Sequence, residues 1–307
     1  MTEIGTCFRG NEVKVTVTVN GHESRTRSTV TVRCYNIYEF FFRRQEMIAI
    51  ADNLNTRNKI YIDAVRSKDK KRLGELVKKL KESGADMINL QCSLDGTGDE
   101  DTLPWVTEII SGTVDSGISL DSRNTAAIKI SVPLCSKPPL INFISKTEPE
   151  KRDELLSLAA SSGASLVIRA SGGTIPSSLE AKLQIIEELL EAANEADIPN
   201  ERLFADPSIV HIGAGMGQKH LVNSHECIRI LKDLVEPPVN TIAWISNVST
   251  GMPAKLRKPL EAAFLVYLAG AGLDFAMVDV LDATIRKNLY LIKSFRDEIV
   301  FSQADIT

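Results

Sequence analysis

Eight short apolar runs, separated by helical patterns, constrain this chain more than any other feature. They are MIAIAD (47–52), DMINL (86–90), GISLD (117–121), PLINF (139–143), SLVIRA (165–170), RLFAD (202–206), TIAWISN (241–247) and DFAMVD (274–279). Continuous apolar runs of strand length are what a strand covered on both faces requires. Between them lie amphipathic helical segments. Residues 70–85 put Leu73, Leu76, Val77 and Leu80 on one stripe and close on a glycine, and residues 150–164 and 258–273 repeat that glycine ending. Residues 177–196 follow Pro176, with a serine suited to the N-cap and acidic residues in the early turns. Strands that alternate with helices pair in parallel, because the helix is the crossover. Eight such units fit a closed (β/α)8 barrel better than an open doubly wound sheet. No G-x-G-x-x-G follows the first run, which weakens a dinucleotide-binding reading.

A parallel barrel opens its ligand site at the C-terminal ends of its strands. Here those ends carry Asp52-Asn53, Asn89 and Gln91, Asp121, Asn142, Asp206, Asn247 and Asp279. Carboxylates and amides dominate, with no lysine, no convergent histidines and no cysteine spaced with a base. A phosphate ligand would call for Arg, Lys or glycine-rich amides. A hydrolytic metal would call for several His or carboxylates at short spacing. Aspartates and asparagines together suit a flat heterocycle bearing N–H donors, a carbonyl and ring nitrogens, because a carboxylate accepts two donors side by side and an amide both donates and accepts. A pterin has such an edge.

Each residue also has a purely structural reading. Asp121 precedes SRNTAAIK and could cap the next helix. Asp206 precedes a proline and could make a turn, Asn142 could satisfy a backbone group, and Asn247 could start an Asx turn. Asp279 reads best as the cap of the last helix. His211, His220 and His225 fall within one short stretch, but a spacing of five splits the last two across a helix, so metal binding is not expected. GAGMGQ (213–218) lacks the Lys-Ser/Thr of a phosphate loop and reads as a mobile lid.

A net charge of −4 argues against a general nucleic-acid or anionic-membrane binder. Five cysteines (7, 34, 92, 135 and 227) show no metal or redox spacing and read as reduced thiols of a cytoplasmic protein. No apolar run is long enough to span a membrane.

LDSRN (120–124), PLINF (139–143), RLFADPSI (202–209) and WISNVS (244–249), in this order and spacing, resemble the pterin-binding barrel methyltransferases, and most of all the methyltetrahydrofolate:corrinoid protein methyltransferase family. The resemblance covers residues 47–307. It implies a (β/α)8 barrel, usually homodimeric, that moves a methyl group between N5 of tetrahydrofolate and the cobalt of a corrinoid (cobalamin) held by a partner protein. It places the pterin-holding positions on Asp121, Asn142 and Asp206, with Asn89 contributing, and the asparagine that reaches N5 on Asn247. Arg257 stands near an arginine of the family, two residues out of register. The family's acidic residue on the second strand is Asn89 here, its asparagine two positions later is Gln91, and Asp52 replaces a common glutamate. Two alternatives stay open: an enzyme like dihydropteroate synthase, for which AMVDVLDATIRK offers no good cationic motif, and a barrel that binds folate or a corrinoid protein without turnover.

Residues 1–46 stand apart as an N-terminal extension. VKVTVTV (13–19), Asn20-Gly21 and STVTV (28–32) spell a β-hairpin, and an aromatic segment of no clear period follows. Family members begin at the first barrel strand, which starts here at Met47. The expectation is therefore that Met47 is the natural start, unless the hairpin is genuine; an intact mass matching all 307 residues would refute it.

Overall fold

The computed structural model describes residues 46–93 and 97–305, and the strands within 2–9, 12–20 and 25–32. Residues 1–45 form one compact unit and residues 46–307 another. In the first, β1 (Thr2–Arg9), β2 (Glu12–Asn20) and β3 (Arg25–Val32) make an antiparallel sheet in that order. The expected pairing of the two alternating stretches is present, with Val19 opposite Thr26. The Asn-Gly turn and the aromatic segment through residue 45 lie outside the described residues. Strand β1 was not expected, because TEIGTCFR alternates poorly around its glycine.

The second unit is a closed parallel barrel. Its strands are β4 (Ile48–Leu54), β5 (Met87–Gln91), β6 (Gly117–Asp121), β7 (Leu140–Ile144), β8 (Ser165–Arg169), β9 (Leu203–Asp206), β10 (Asn240–Trp244) and β11 (Phe275–Val278), and β11 returns to pair with β4. Helices α1 (Lys59–Arg66), α2 (Lys70–Glu82), α3 (Asp99–Thr113), α4 (Thr125–Ser131), α5 (Pro149–Ser162), α6 (Leu179–Glu195), α7 (Gly217–Leu234), α8 (Ala254–Gly270) and α9 (Ala283–Phe295) cover it. Local chemistry sets their ends. Asp69, Asn124, Ser178 and Asp282 accept backbone N–H groups as N-caps of α2, α4, α6 and α9. Gly163 closes α5 in the left-handed region, where a side chain would be strained.

Two apolar layers follow from the period of two along each strand. Ala49 and Ala51, Leu166 and Ile168, Ala243, Ala276 and Val278 join the large core facing the helices, where the expected stripe of α2 is fully represented. The intervening Ile50, Val167, Ile242, Trp244 and Met277 form a separate cluster with Leu140 and Phe204, which fills the barrel interior. Burying each large side chain contributes about 1.5–3 kcal/mol. This interior cluster is a floor: residues of the same parity further along the strands stand above it, at the C-terminal mouth. No helix among the described residues is long and apolar enough to cross a membrane.

Candidate functional site

The interior parity that puts Ile50, Val167 and Met277 in the floor puts Asp52, Arg169 and Asp279 two residues further along the same strands. Asn89, Gln91, Asp121, Asn142 and Asp206 belong to the same face. Pairing register confirms the ring: Gln91 lies opposite Asp121, Asp121 opposite Asn142, and Arg169 opposite Asp206.

Most of the ring is hydrogen-bonded within itself. Asn89 Nδ2 donates to Asp52 Oδ1 at 3.2 Å, and Gln91 Nε2 donates to Asp121 Oδ2 at 3.2 Å. Arg169 Nε donates to Asp206 Oδ2 at 2.9 Å, while the Ser208 N–H donates to Asp206 Oδ1 at 2.8 Å. The Arg169 guanidinium lies 3.5 Å from the Phe143 ring centroid and 5.0 Å from that of Trp244. Asn142 is the exception. It is 1% exposed, and neither its Nδ2 nor its Oδ1 has a partner among the described residues. Asn89 Oδ1 and Ser119 Oγ, also buried, are likewise unpartnered. Burial of polar amide atoms without partners costs roughly 1–3 kcal/mol each, which a ligand can offset.

Charge in the ring is shaped by burial. Desolvation pushes the Asp121 carboxyl up to about 6, against the lowering pull of Arg169, with Asp52 adding to the rise. Desolvation also raises Asp52, opposed by Arg57, Asn89, Asn55 and Ser246. Arg57 Nη2 reaches Asp52 Oδ2 at 3.2 Å from an exposed position on the rim.

The residues around Asn247 correct the expected geometry in one respect. Strand β10 stops at Trp244, and Ile245–Ser249 is a 3-10 turn, so Asn247 sits on a helical turn above the mouth and not on the strand itself. Its side chain is half-buried, and its backbone carbonyl accepts the Thr250 N–H, so the turn closes through the main chain. This turn is braced on both sides. Ser246 Oγ donates to Asp52 Oδ2 at 3.4 Å. Ser249 Oγ donates to Glu261 Oε1 at 2.6 Å. Glu261, only 5% exposed, shares Lys258 with Asp279, at 3.1 and 2.8 Å. Asp279 then accepts Asn53 Nδ2 at 2.6 Å. Burial alone would raise the Asp279 carboxyl, but the bonds from Lys258 and Asn53 outweigh it and hold it below its usual range.

Several structural readings of the sequence change. Asp279 does not cap the last helix; Asp282 does, because the helix starts one turn later. Asp121 is not a cap either, since Asn124 accepts the Ala127 N–H. Asp206 does make a turn, through Ser208, while also belonging to the ring. Arg257 is exposed and its Nε donates to the Met252 carbonyl at 2.8 Å; its neighbour Lys258 is the cation that reaches the mouth. His225 stacks on Tyr267 and pairs with Glu226. The GAGMGQ segment is a turn leading into α7, and Ile212 N–H donates to the Val248 carbonyl at 3.0 Å, which ties it to the Asn247 turn.

Arg169, Ser246 and Lys258 were overlooked in the sequence. Arg169 was readable, as the last residue of the run SLVIR with interior parity. Lys258 was not, because it lies on the helix that follows the turn, which starts five residues after Ser249. A further cation, Lys182 on α6, is fully buried and donates to the carbonyls of Pro207 and Ser208, behind Asp206.

Residues 53–279 match the family model described as pterin binding enzyme. A methylcorrinoid:tetrahydrofolate methyltransferase of Eubacterium limosum is 27% identical over 240 residues, which cover 76% of this chain and 85% of that protein. Among solved structures, a Yersinia pestis DHPS with a pterine-sulfa conjugate superposes with a TM-score of 0.62 at 16% identity, covering 83% of this chain and 94% of that one. A dihydropteroate synthetase with a product superposes with a TM-score of 0.62 at 16% identity, covering 82% and 95%. At such identities these two likenesses speak to the barrel fold alone.

Proposed function

Because the chain belongs to the pterin binding enzyme family, we propose that it is a methyltransferase acting between N5 of tetrahydrofolate and the cobalt of a corrinoid carried by a partner protein. The observation that carries the pterin part is Asn142, a buried amide with both atoms unpartnered inside an otherwise bonded ring. Such an amide fits a heterocycle that presents a donor beside an acceptor. The methyl-transfer part is supported by the Eubacterium limosum relative, whose name pairs a methylcorrinoid with tetrahydrofolate.

In this reading Asp121, Asn142 and Asp206 hold the pterin, with Asn89 and Gln91 orienting the carboxylates. Asn247 works at N5. The methyl group is on a tertiary amine, a poor leaving group until N5 gains a proton or a strong hydrogen bond. The Asn247 amide can donate to N5 or, rotated, accept from a protonated N5, and so follows the charge that develops. When bound, the partner's corrinoid supplies cobalt(I) as nucleophile or carries the methyl group. The chain's own contribution is to orient the substrate, exclude water below the ring and hold Asn247 still on its braced turn. Arg257 faces solvent and has no part in this arrangement. A homodimer is expected from the family resemblance.

Dihydropteroate synthase chemistry is less well supported. It needs cations for a pyrophosphate leaving group, and Arg286, late in the chain, spends its guanidinium on the carbonyls of Val280 and Leu281.

The test is an anaerobic mixture of the protein, methyltetrahydrofolate and cobalt(I) cobalamin, followed by loss of the cobalt(I) absorption. Wild type should consume the band, and Asn247→Ala should slow it roughly 10²–10³-fold, the cost of removing one donor aimed at developing charge. Equal rates in the two proteins would remove Asn247 from the chemistry. No reaction in wild type, with pterin binding retained, would favour a barrel that binds without turnover.

A further inference from the structure

Arg169 is a cation in a ring that otherwise holds carboxylates and amides. Its side chain is 23% exposed, and its Nε is committed to Asp206. No hydrogen bond from its two terminal nitrogens is made among the described residues. The guanidinium carbon lies 3.5 Å from the Phe143 ring centroid and 5.0 Å from that of Trp244, contacts that favour this position of the group. Phe143 follows Asn142, whose amide is unpartnered. The Arg169 charge is also felt at Asp121, where it opposes the effect of burial.

The pair Arg169 and Asp206 therefore presents N–H donors beside carboxylate acceptors on one fixed frame. A carboxylate has about four acceptor positions. Asp206 uses two of them, on Ser208 and Arg169. Donor beside acceptor is the complement of a lactam, in which a ring carbonyl stands next to a ring N–H. In an amidine an amino group replaces the carbonyl and a bare ring nitrogen replaces the N–H, so donor and acceptor are exchanged, and a ring held in the same orientation mismatches both Arg169 and Asp206.

We infer that Arg169 is a specificity residue that reads the 4-oxo group of the pterin ring through its free guanidinium N–H groups, and so selects 4-oxo pterins over 2,4-diamino analogues. This rests on the pterin reading of the site given above. A 4-amino group would set N–H against the cation, leaving both without an acceptor. Sites built to hydrogen-bond one group reject its substitute strongly, and the partial exposure of Arg169 moderates that to a discrimination of about tenfold to a hundredfold.

The experiment measures dissociation constants of 6-hydroxymethylpterin and its 2,4-diamino counterpart near pH 6.7, where the lactam keeps its N–H and the diamino ring is mostly unprotonated, by quenching of protein fluorescence. Wild type should prefer the oxo compound at least tenfold. Arg169→Leu should lose that preference by weakening the oxo compound and sparing the diamino one. Arg169→Lys, which keeps a charge and one direction of donation, should show an intermediate ratio, and it carries the test if the leucine variant does not fold. Equal binding of the two compounds by wild type overturns the inference. So does equal weakening of both in Arg169→Leu, which would reduce Arg169 to a support for Asp206. Absence of binding of either compound to folded wild type would instead remove the pterin site on which the inference stands.

Discussion

Replacing Lys182 with methionine tests whether the loop behind Asp206 is held by a charge that resents its burial. Lys182 is fully buried on α6, with its ammonium on the carbonyls of Pro207 and Ser208. Burial lowers its pKa from 10.5 to about 8, against the raising effects of Cys227 and Asp206. A fall of about 2.5 corresponds to about 3 kcal/mol of unfavourable energy in the charged form. Between pH 8 and 10.5 the unfolded chain keeps the proton that the folded chain has lost, so stability rises with pH across that window. Below pH 8 both states are charged, and the penalty is constant. Methionine removes the penalty but leaves two carbonyls without their donor, at about 1–3 kcal/mol each. Near pH 7 the two effects oppose, and the variant should fall within about 2 kcal/mol of wild type. By pH 10 wild type has shed its penalty, and the variant should be less stable by a further 2–3 kcal/mol or so. Among the neighbours, Cys227 is pushed up to about 12 by burial and His220 is held below its usual range by desolvation and by Lys182 itself, so both titrate outside the window. Urea midpoints of both proteins at constant ionic strength from pH 7 to 10 provide the assay. A stability difference that stays flat with pH would refute the argument, since it would mean that Lys182 does not change protonation in this window.

Three further outcomes follow from the same geometry. Asp121, raised to about 6, contributes stability that is present below its unfolded value of 3.8 and is lost as pH rises through 6. Asp121→Asn should therefore flatten the decline in urea midpoint over that range, and it should also abolish a loss of methyltetrahydrofolate affinity on acidification below pH 6, read by isothermal titration. Lys258→Met leaves Glu261 and Asp279 without their shared cation; with Lys258 38% exposed, the stability cost should be about 1 kcal/mol, whereas kcat should fall more than pterin affinity because the Asn247 turn loses a brace. Gly217→Ala would set a Cβ 2.5 Å from the Ile212 carbonyl oxygen and 2.6 Å from that of His211, so the turn must move, and a thermal melt should show a loss of about 1–3 kcal/mol.

The barrel was legible because its signal is long-range and repetitive. Eight apolar runs of similar length leave few topologies, and a one- or two-residue error at any strand end does not alter the count. The ring at the mouth was partly legible for a related reason. Strand ends are identifiable, and side chains alternate, so Asp121, Asn142 and Asp206 could be assigned to one face before any coordinates. Arg169 obeys the same alternation, although a cation breaks the pattern of acids and amides that marks the other strand ends. What could not be read were contacts made by elements remote in the chain. Lys258 reaches Asp279 across 21 residues, and Asn53 reaches it across 226, so neither is implied by local pattern. The end of β10 was misplaced for a different reason: TIAWI is apolar through Ile245, and the sequence alone does not distinguish a last strand residue from the first residue of a buried 3-10 turn.

The ring divides its labour in a way that bears on how such a mouth can bind a neutral heterocycle at all. Four aspartates pointed into one space would repel one another and attract any cation, and Asp279 is held by Lys258 and Asn53. The other three are likewise tied to donors of the chain: Asp52 to Asn89 and Arg57, Asp121 to Gln91, Asp206 to Arg169 and Ser208. Each tie consumes part of a carboxylate's acceptor capacity and fixes its orientation, so that what remains is directional and no longer simply negative. The amides carry the complementary task. Asn142 is held with both atoms unpartnered, and such a group is tolerated only where a partner of mixed donor and acceptor character arrives. Asn247 stands apart from this ring on a turn braced by Ser246 and Ser249. Under the function proposed above, recognition would rest on rigid strand ends, and the amide assigned to N5 would stand apart from them on the turn.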